Sequence, residues 1–475
     1  MFSDPYDSVN HYDEMLAADG TCREHYLPFL EMIKNVPVEK LKQLQYTTDK
    51  AQMAMGMTFN VYHDKQGIEK ILHLDIIPRI ISASEWNKIE AGLKQRIYAL
   101  NLFIQDIYND QKILKDRVLP RELIESCPGY LKQCNGLTPP KGIWCHITGT
   151  DLVRDKDGEF YVLEDNLRCP SGVSYQLESR EIIKRVFPNL LSKMGVAPVS
   201  NYPSRLLNIL QFLSDKKKPV VGVLTPGVYN SAYFEHSYLA LAMGVELVIG
   251  QDLVVMNERV YMQTTSGLQQ IDVLYRRIDD TFLDPLAFNP ESLLGVPGIY
   301  SAYMAGNIAL ANAPGTGIAD DKAIYAFVPK IIRYYLDEEP ALSNVRTYIC
   351  SEKKDCEYVL AHLDELVVKE TNAAGGYGMM IGPRASNSER QTFKKLIKSN
   401  PRNYIAQPML SLSTVPTLVD SNLEPRHVDL RPYVLYGEEI EVIPGAFTRV
   451  ALKRGSLVVN SSQGGGSKDT WVLQQ

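Results

Sequence analysis

Between Ser84 and about Lys115 the chain reads SEWNKIEAGLKQRIYALNLFIQDIYNDQKILK, with apolar residues three and four positions apart. That spacing predicts a long helix with one buried face, and Ser82 or Ser84 supplies a cap for its start. After the Pro139-Pro140 break the rhythm changes. In GIWCHITGTDLVRDKDGEFYVLEDN two apolar runs flank RDKDGE, whose Asp157-Gly158 pair is a hairpin turn signal. Such a hairpin carries Asp151, on its first arm, towards Glu164 and Asn166 at the end of its second.

The middle section alternates element types. KKKPVVGVLTPG reads as a buried strand, SAYFEHSYLALAMG as a helix stopping at Gly244, and VELVIG as another strand. This β-α-β unit predicts a parallel sheet covered on both faces. IDVLYRRIDD, from Ile271 to Asp280, reads as a further strand with a polar end, where ligand groups gather in open α/β sheets. The last third predicts a helix over 320–336, the strand ELVVKE, a glycine-rich loop, the helix SERQTFKKLIKS and strand-like pieces from Tyr404 to Val459. The fold class is therefore mixed α/β (α+β). Four regions follow: a mostly helical one over 1–138, the hairpin region over 139–200, the α/β unit over 201–318, and a final region over 319–475.

Length and charge narrow the function. A chain of 475 residues has room for roughly two to four packed units. Fifty Lys and Arg against 56 Asp and Glu give a net charge of −6, and the longest basic run is Lys216-Lys217-Lys218. That argues against nucleic acid or an anionic membrane as partner, since both need concentrated positive charge. The start, MFSDPYDSVNHYDEM, lacks the basic and apolar regions of a leader, and no window approaches a membrane span. A cytoplasmic location is expected. Seven scattered cysteines without a C-x-x-C pair predict reduced thiols and no zinc site. A catalytic thiol, if there is one, is Cys145 or Cys169, though small buried hydrophobes are the commoner role.

The candidate chemistry lies at strand ends. In LVVKETNAAGGYGMMIG a strand delivers Lys369, and Gly375, Gly376 and Gly378 follow in a loop. Glycines let backbone N–H groups approach an anion, and a strand-borne ammonium adds compact charge for a phosphate. The lysine precedes the glycines, so this is not a Walker loop. Further on, Gln407 and Met409 sit where a connector can face a nucleobase, although a Gln-Pro strand end is more often just an edge. Asp429, Arg431, Arg449 and Asn460 with Gln463 to Gly466 end neighbouring strand patterns, which suggests one shared pocket. Asp151, Glu164 and Asn166 offer magnesium two carboxylates and an amide, with nucleotide phosphates to complete its shell. A solvated hairpin rim is the plainer alternative for the same three residues.

Together these pieces resemble the ATP-grasp fold in circularly permuted order, as in glutathionylspermidine synthetase and the type 2 circularly permuted ATP-grasp family. EDN comes some two hundred residues before LVVKE, the reverse of the ordinary order, and the likeness extends to DGTCREHY, LTPGVYNSAYFEH, YRRIDDTFLDPL and SSQGGGSKDTW. The resemblance implies that 139–200 and 319–475 build the ATP-grasp core, with 201–318 as a substrate domain. It implies ATP and Mg2+ as cofactors. Lys322 and Lys369 fall at the phosphate-holding lysines, Gly375 to Gly378 at the loop over the triphosphate, Gln407 and Met409 at the adenine hinge, and Asp151, Glu164 and Asn166 at the magnesium positions. One departure stands out. Where glutathionylspermidine synthetase has an arginine two positions before the aspartate, this chain has Gly149, so transition-state stabilisation must move to Arg168, Arg449 or Arg431, or be absent.

The implied function is an ADP-forming carboxylate-amine ligase, making an amide or peptide bond through an acyl phosphate. A nucleotide-binding module without ligation and a small-molecule kinase are the alternatives. Ser171, Tyr233, Glu235, His236, Arg276, Arg277, Asp279 and Asp280 with Arg168 form the candidate substrate region, arginines suiting a carboxylate and acids an amine. RRIDD fits an internal ion-pair network equally well. The expected partners are a small-molecule or peptide carboxylate and an amine. Their identity and the oligomeric state are not legible.

Overall fold

The computed structural model describes residues 11–60, 69–373, 378–420, 422–456, 459 and 464–474. A seven-stranded sheet runs through the molecule in the order Ser343–Asn344, Phe160–Asn166, Ile147–Arg154, Arg431–Tyr436, Ile440–Val450, Gly466–Val472 and Leu74–Ile81. Chain order is scrambled across it, so the sheet forms only when both ends of the sequence meet. Leu74–Ile81 is the clearest case. It is buried along its whole length and pairs in parallel with Gly466–Val472.

Reading 1–138 as mostly helical overlooks that strand. A short apolar run such as LDIIPRII carries no period that separates strand from buried helix. Here the deciding partner lies nearly four hundred residues away. Buried charges fix the junction: Lys468 pairs with Asp75, and Arg79 donates to Glu14 (2.6 and 2.7 Å) and to the Asp429 carbonyl (2.8 Å).

The long helix is Ala83–Tyr108, opened by a capping box between Ser82 and Glu85. It stops short of the expected Lys115. The Asp106 carboxylate accepts from the backbone N–H groups of Lys112 and Ile113 (2.8 and 2.9 Å), so the chain turns and restarts as Lys112–Lys115. The helix expected over 320–336 is likewise two, Lys322–Tyr325 and Val328–Leu336. Pro329 stands in the first turn of the second, where a missing N–H costs nothing.

The predicted hairpin is present, antiparallel, with Gly158 at φ +81° in its turn. Its register sets Asp151 opposite Glu164 and Gly149 opposite Asn166. The middle unit is a four-stranded parallel sheet ordered Ala309–Ala311, Val273–Arg276, Val221–Leu224, Glu246–Val248, with helix Tyr233–Met243 closed by Gly244 at φ +68°. A smaller antiparallel sheet, ordered Tyr348–Ile349, Tyr404–Pro408, Leu366–Glu370, Met379–Ile381, packs with helix Asn387–Ser399 around its own core of Val359, Val368, Met380 and Ile397. Among the described residues no helix is long and apolar enough to cross a membrane.

One buried pair locks the hairpin into this frame. Arg96, from the long helix, grips Asp165 through Nε and Nη2 (2.7 to 3.0 Å) and donates Nη1 to Asn344 on the edge strand (2.8 Å). Asp165 thus occupies the face away from Glu164 and Asn166, as strand alternation requires. Removing one partner of a buried pair leaves the other charge uncompensated. Arg96→Ala is expected to lose about 3–5 kcal/mol of stability by urea unfolding.

Candidate active site

The carboxylate side of the site is the open end of the hairpin. Asp151 is 1 % exposed and lies between two guanidinium groups. Arg431 holds it through Nε and Nη2, the latter at 2.7 Å, and Arg449 Nη2 reaches it at 2.6 Å. Arg431 begins one strand and Arg449 nears the end of the next, so the clamp follows from their antiparallel pairing. Burial works against ionisation of Asp151, but the two arginines overrule it and hold the carboxyl well below the usual range. Asp429, on the far side of Arg449, is pushed up by burial despite that arginine.

Gly149 is part of the same arrangement. A Cβ there would lie 3.2 Å from Pro170 Cβ and 3.3 Å from Arg431 Cδ. The apolar stem of Arg431 therefore runs across the space a side chain at 149 would need.

Glu164 is less committed. Its carboxylate lies 3.4 Å from Lys322 Nζ and 4.0 Å from Arg431 Nη2. The Nδ2 atom of Asn166 is buried without a partner. A hard cation suits Glu164 and the Asn166 Oδ1 atom, while the unpartnered Nδ2 calls for an acceptor such as a phosphate oxygen; Asp151 would have to share oxygens already given to two arginines. Among the described residues no group of three or more His, Cys, Asp and Glu side chains is placed to hold a metal by itself. A magnesium ion here would draw on Glu164, the Asn166 amide and phosphate oxygens.

The opposite wall is the small antiparallel sheet. Lys369 and Gln407 come from adjacent strands and face the same way, Val367 standing opposite Gln407 and Lys369 opposite Ile405. Lys369 Nζ donates to Gln407 Oε1 (2.8 Å), and Gln407 Nε2 donates to Thr347 Oγ1 (3.0 Å). The amide is thereby an orienting group for the ammonium. Lys322 Nζ donates to the Ala373 carbonyl (2.6 Å), at the entrance to the glycine-rich loop. Gly378 stands at φ +65°, where side chains are disfavoured, and a Cβ there would displace the Glu370 carboxylate, whose Cδ would lie 2.7 Å away. Gly375 and Gly376, like Asn460 and Gln463, lie outside the described residues. Met409 is exposed just beyond the strand that carries Gln407.

Lys322 thus meets Glu164, which also neighbours Arg431, and Lys369 lies close enough to feel the charges of Glu164, Lys322 and Asp151. The model of the circularly permuted ATP-grasp type 2 family matches residues 78–451. The chain belongs to this family. A Synechocystis protein described as uncharacterized is 58 % identical over 99 % of this chain and 98 % of its own length. A Mycobacterium tuberculosis protein, also uncharacterized, is 50 % identical over 97 % of this chain and 84 % of its own. A Frankia alni protein provisionally named glutamate–cysteine ligase 2-3 is 40 % identical over 97 % of this chain, which spans only 54 % of that protein. Among solved structures, a glutathione synthetase-like effector from Globodera pallida superposes with a TM-score of 0.60 at 10 % identity, covering 93 % of this chain and 99 % of the other.

Within this ATP-grasp chain the other expected site residues divide. Arg276 is fully buried and spends its donors on the carbonyls of Asn312, Ile278 and Ala313 (2.6 to 2.9 Å) and on Asp280 (2.7 Å). Arg277 binds the Pro170 carbonyl (2.6 Å) and Glu235 (3.0 Å), and Glu235 accepts from the backbone N–H groups of Gly172 and Ser174. His236 is buried against Thr225 Oγ1 (2.8 Å), and burial pushes its pKa well down, leaving it neutral. Arg277 and Glu235 fasten the middle sheet to the segment after the hairpin, Arg276 braces its own loops, and RRIDD is largely an internal network. Tyr233 opens the helix that carries Glu235 and His236.

Arg168 remains partly exposed, bound to Asp279 (2.8 Å) and Asp320 (2.7 Å). The Ser171 carbonyl accepts from Tyr433 OH (3.0 Å) and Arg431 Nη1 (3.3 Å). Asp320 escaped the sequence reading. It anchors Arg168 and the Leu167 N–H, and its signal was the unexplained Asp320-Asp321 pair before Lys322. All seven cysteines are unpaired, and burial raises the thiols of Cys145 and Cys169, so neither is the thiolate a catalytic reading needs.

The environment of Lys369 has a measurable consequence. Burial, aided by Lys322 and opposed by Glu164, brings its pKa from 10.5 down to about 8. Between these values the unfolded chain holds the proton and the folded chain does not. The cost to stability is therefore full below pH 8 and fades as pH rises to 10.5. Lys369→Met is expected to be more stable than the parent by about 2–3 kcal/mol at pH 7, the gap closing by pH 10.5 in urea titrations.

Proposed function

We propose that this chain is an ATP-dependent carboxylate-amine ligase that forms an amide or peptide bond through an acyl phosphate, in the manner of glutathionylspermidine synthase. The single observation that carries the reading is the cluster that brings Lys322 and Lys369 close to Glu164 and to Asp151 with its two arginines. Family membership supports the coarser statement, an ATP-dependent ligase. The Frankia name adds little, because nearly half of that protein has no counterpart here.

Transfer of a γ-phosphoryl group to a carboxylate needs positioning and charge neutralisation more than a protein nucleophile. Lys369, oriented by Gln407, and Lys322, tethered to the loop base, supply charge to the phosphates. Glu164 and Asn166 would hold magnesium, which would supply positive charge to offset that of the phosphates. Arg431 and Arg449 hold Asp151 in place and leave guanidinium charge close to Glu164. Since the stem of Arg431 fills the space beside Gly149, Arg431 takes the task performed by the arginine two residues before the aspartate in glutathionylspermidine synthetase. Arg168 is the weaker choice, being neutralised by Asp279 and Asp320. The acyl phosphate is then open to an amine, and ADP leaves.

Hydroxylamine tests the reading directly. With ATP, magnesium and a panel of peptide and amino-acid carboxylates, the enzyme is expected to yield a hydroxamate together with ADP. Glu164→Ala should abolish both products, and Arg431→Ala should lower kcat by about 100-fold or more with little change in the KM for ATP. ADP without hydroxamate points to a kinase. Tight ATP binding by calorimetry without ADP formation points to a binding module, the rival that Gly149 favours.

A further inference from the structure

Arg402 and Asp321 form an ion pair that the chemistry above does not use, and it stands between the two lysine-bearing elements. Asp321 is fully buried and caps the helix Lys322–Tyr325, its Oδ1 accepting from the backbone N–H groups of Ala323 (2.8 Å) and Ile324 (3.2 Å). Its other oxygen, Oδ2, accepts from Arg402 Nη2 (2.9 Å). Arg402 belongs to the turn Pro401–Asn403, which leads directly into the strand Tyr404–Pro408. In that strand Ile405 stands opposite Lys369, and Gln407 aims the Lys369 ammonium.

Lys322 is the first helical residue after the cap, so the direction of its side chain follows the cap. Its N–H donates to the Thr371 carbonyl (3.0 Å), and the Thr371 N–H donates to the Asn403 carbonyl (2.9 Å). One backbone bond fixes a point but lets a short helix pivot about it. The second contact, at Asp321, removes that freedom. Arg402 is itself braced, since Nε donates to Ser126 Oγ (2.8 Å) and Nη2 also donates to the Leu123 carbonyl (3.1 Å). A planar guanidinium can serve partners on three segments at once, which a lysine ammonium does less well. Such a buried pair often adds little net stability over an apolar replacement. What this one fixes is geometry.

Resting on the reading of Lys322 and Lys369 as phosphate-holding groups, we propose that Arg402 and Asp321 are positioning residues that set the Lys322 ammonium at the separation from Lys369 that a nucleoside triphosphate requires. Neither touches the nucleotide. Their loss displaces one phosphate-binding charge and leaves the nucleoside end of the site as it was. A misplacement of about 1 Å at such a centre can cost about 100-fold.

The test is binding to the full chain of the non-hydrolysable analogue AMP-PNP with magnesium, by calorimetry, and of adenosine, by saturation-transfer NMR. Arg402→Met alone strands the Asp321 carboxylate and is expected to melt lower. The decisive variant is Arg402→Met with Asp321→Asn, which keeps an oxygen for the cap and leaves no unpaired charge. It is expected to melt close to the parent, to bind AMP-PNP at least tenfold more weakly and to bind adenosine as the parent does. Lys322→Met should show the same selective loss, and adding it to the double variant should weaken AMP-PNP no further, because both act through one ammonium. AMP-PNP affinity equal to the parent's, adenosine lost in step with AMP-PNP, or additive losses each overturn the proposal. The hydroxamate assay separates it from the ligase reading. Selective loss of AMP-PNP binding in a chain that makes no hydroxamate keeps the positioning pair and sinks the ligase, while hydroxamate from the parent with unchanged AMP-PNP binding in the double variant does the reverse.

Discussion

Everything at this site hangs on the clamp that Arg431 and Arg449 close on Asp151. The three residues come from three consecutive strands of the central sheet, and their sequence separations approach three hundred residues. The two guanidinium groups share Asp151, Arg449 also binds Asp429 (2.5 Å), and the arginines hold Asp151 ionised against the effect of burial. Asp151, Arg431, Arg449 and Asp429 therefore depend on one another for charge compensation. The cluster holds the hairpin end, the start of one strand and the end of another in fixed relation, and it sets Arg431 Nη2 4.0 Å from Glu164.

The opposing wall is built with a different economy. Lys369 sits where burial works against its charge, with an amide to aim it and a second lysine nearby. Such a group gains most when a polyanion arrives, because the ligand restores the charge that burial opposes. A stability cost in the empty state is the natural counterpart of a binding site organised beforehand. The middle sheet, for its part, contributes mainly anchorage. Arg277 and Glu235 fasten the segment after the hairpin, while Arg276 and Asp280 brace the loops of the middle unit, so these buried charges are paired with one another.

Much of this was legible in the chain. The 3.6-residue period marked the long helix, Asp157-Gly158 marked the hairpin, and alternation placed Asp165 away from Glu164 and Asn166. The β-α-β unit and the lysine-bearing strand could be read because their determinants are local: period, cap and turn residues. Family motifs added the identity of the fold. The breaks at Asn109 to Gln111 and before Pro329 were not legible as helix ends, because each depends on a side chain or ring meeting the backbone in a particular way.

The sequence by itself determined which elements form and which residue types stand at their ends. Only the tertiary structure decided what those residues do, because charge is shared through space. It turned Asp151 from a free ligand candidate into the partner of two arginines, Arg168 into a neutralised link, and RRIDD into a fastening. It made LDIIPRII a strand through a partner at the other end of the chain. Local propensity acts over a few residues, whereas pairing, burial and ionisation depend on neighbours that only folding brings within a few ångströms.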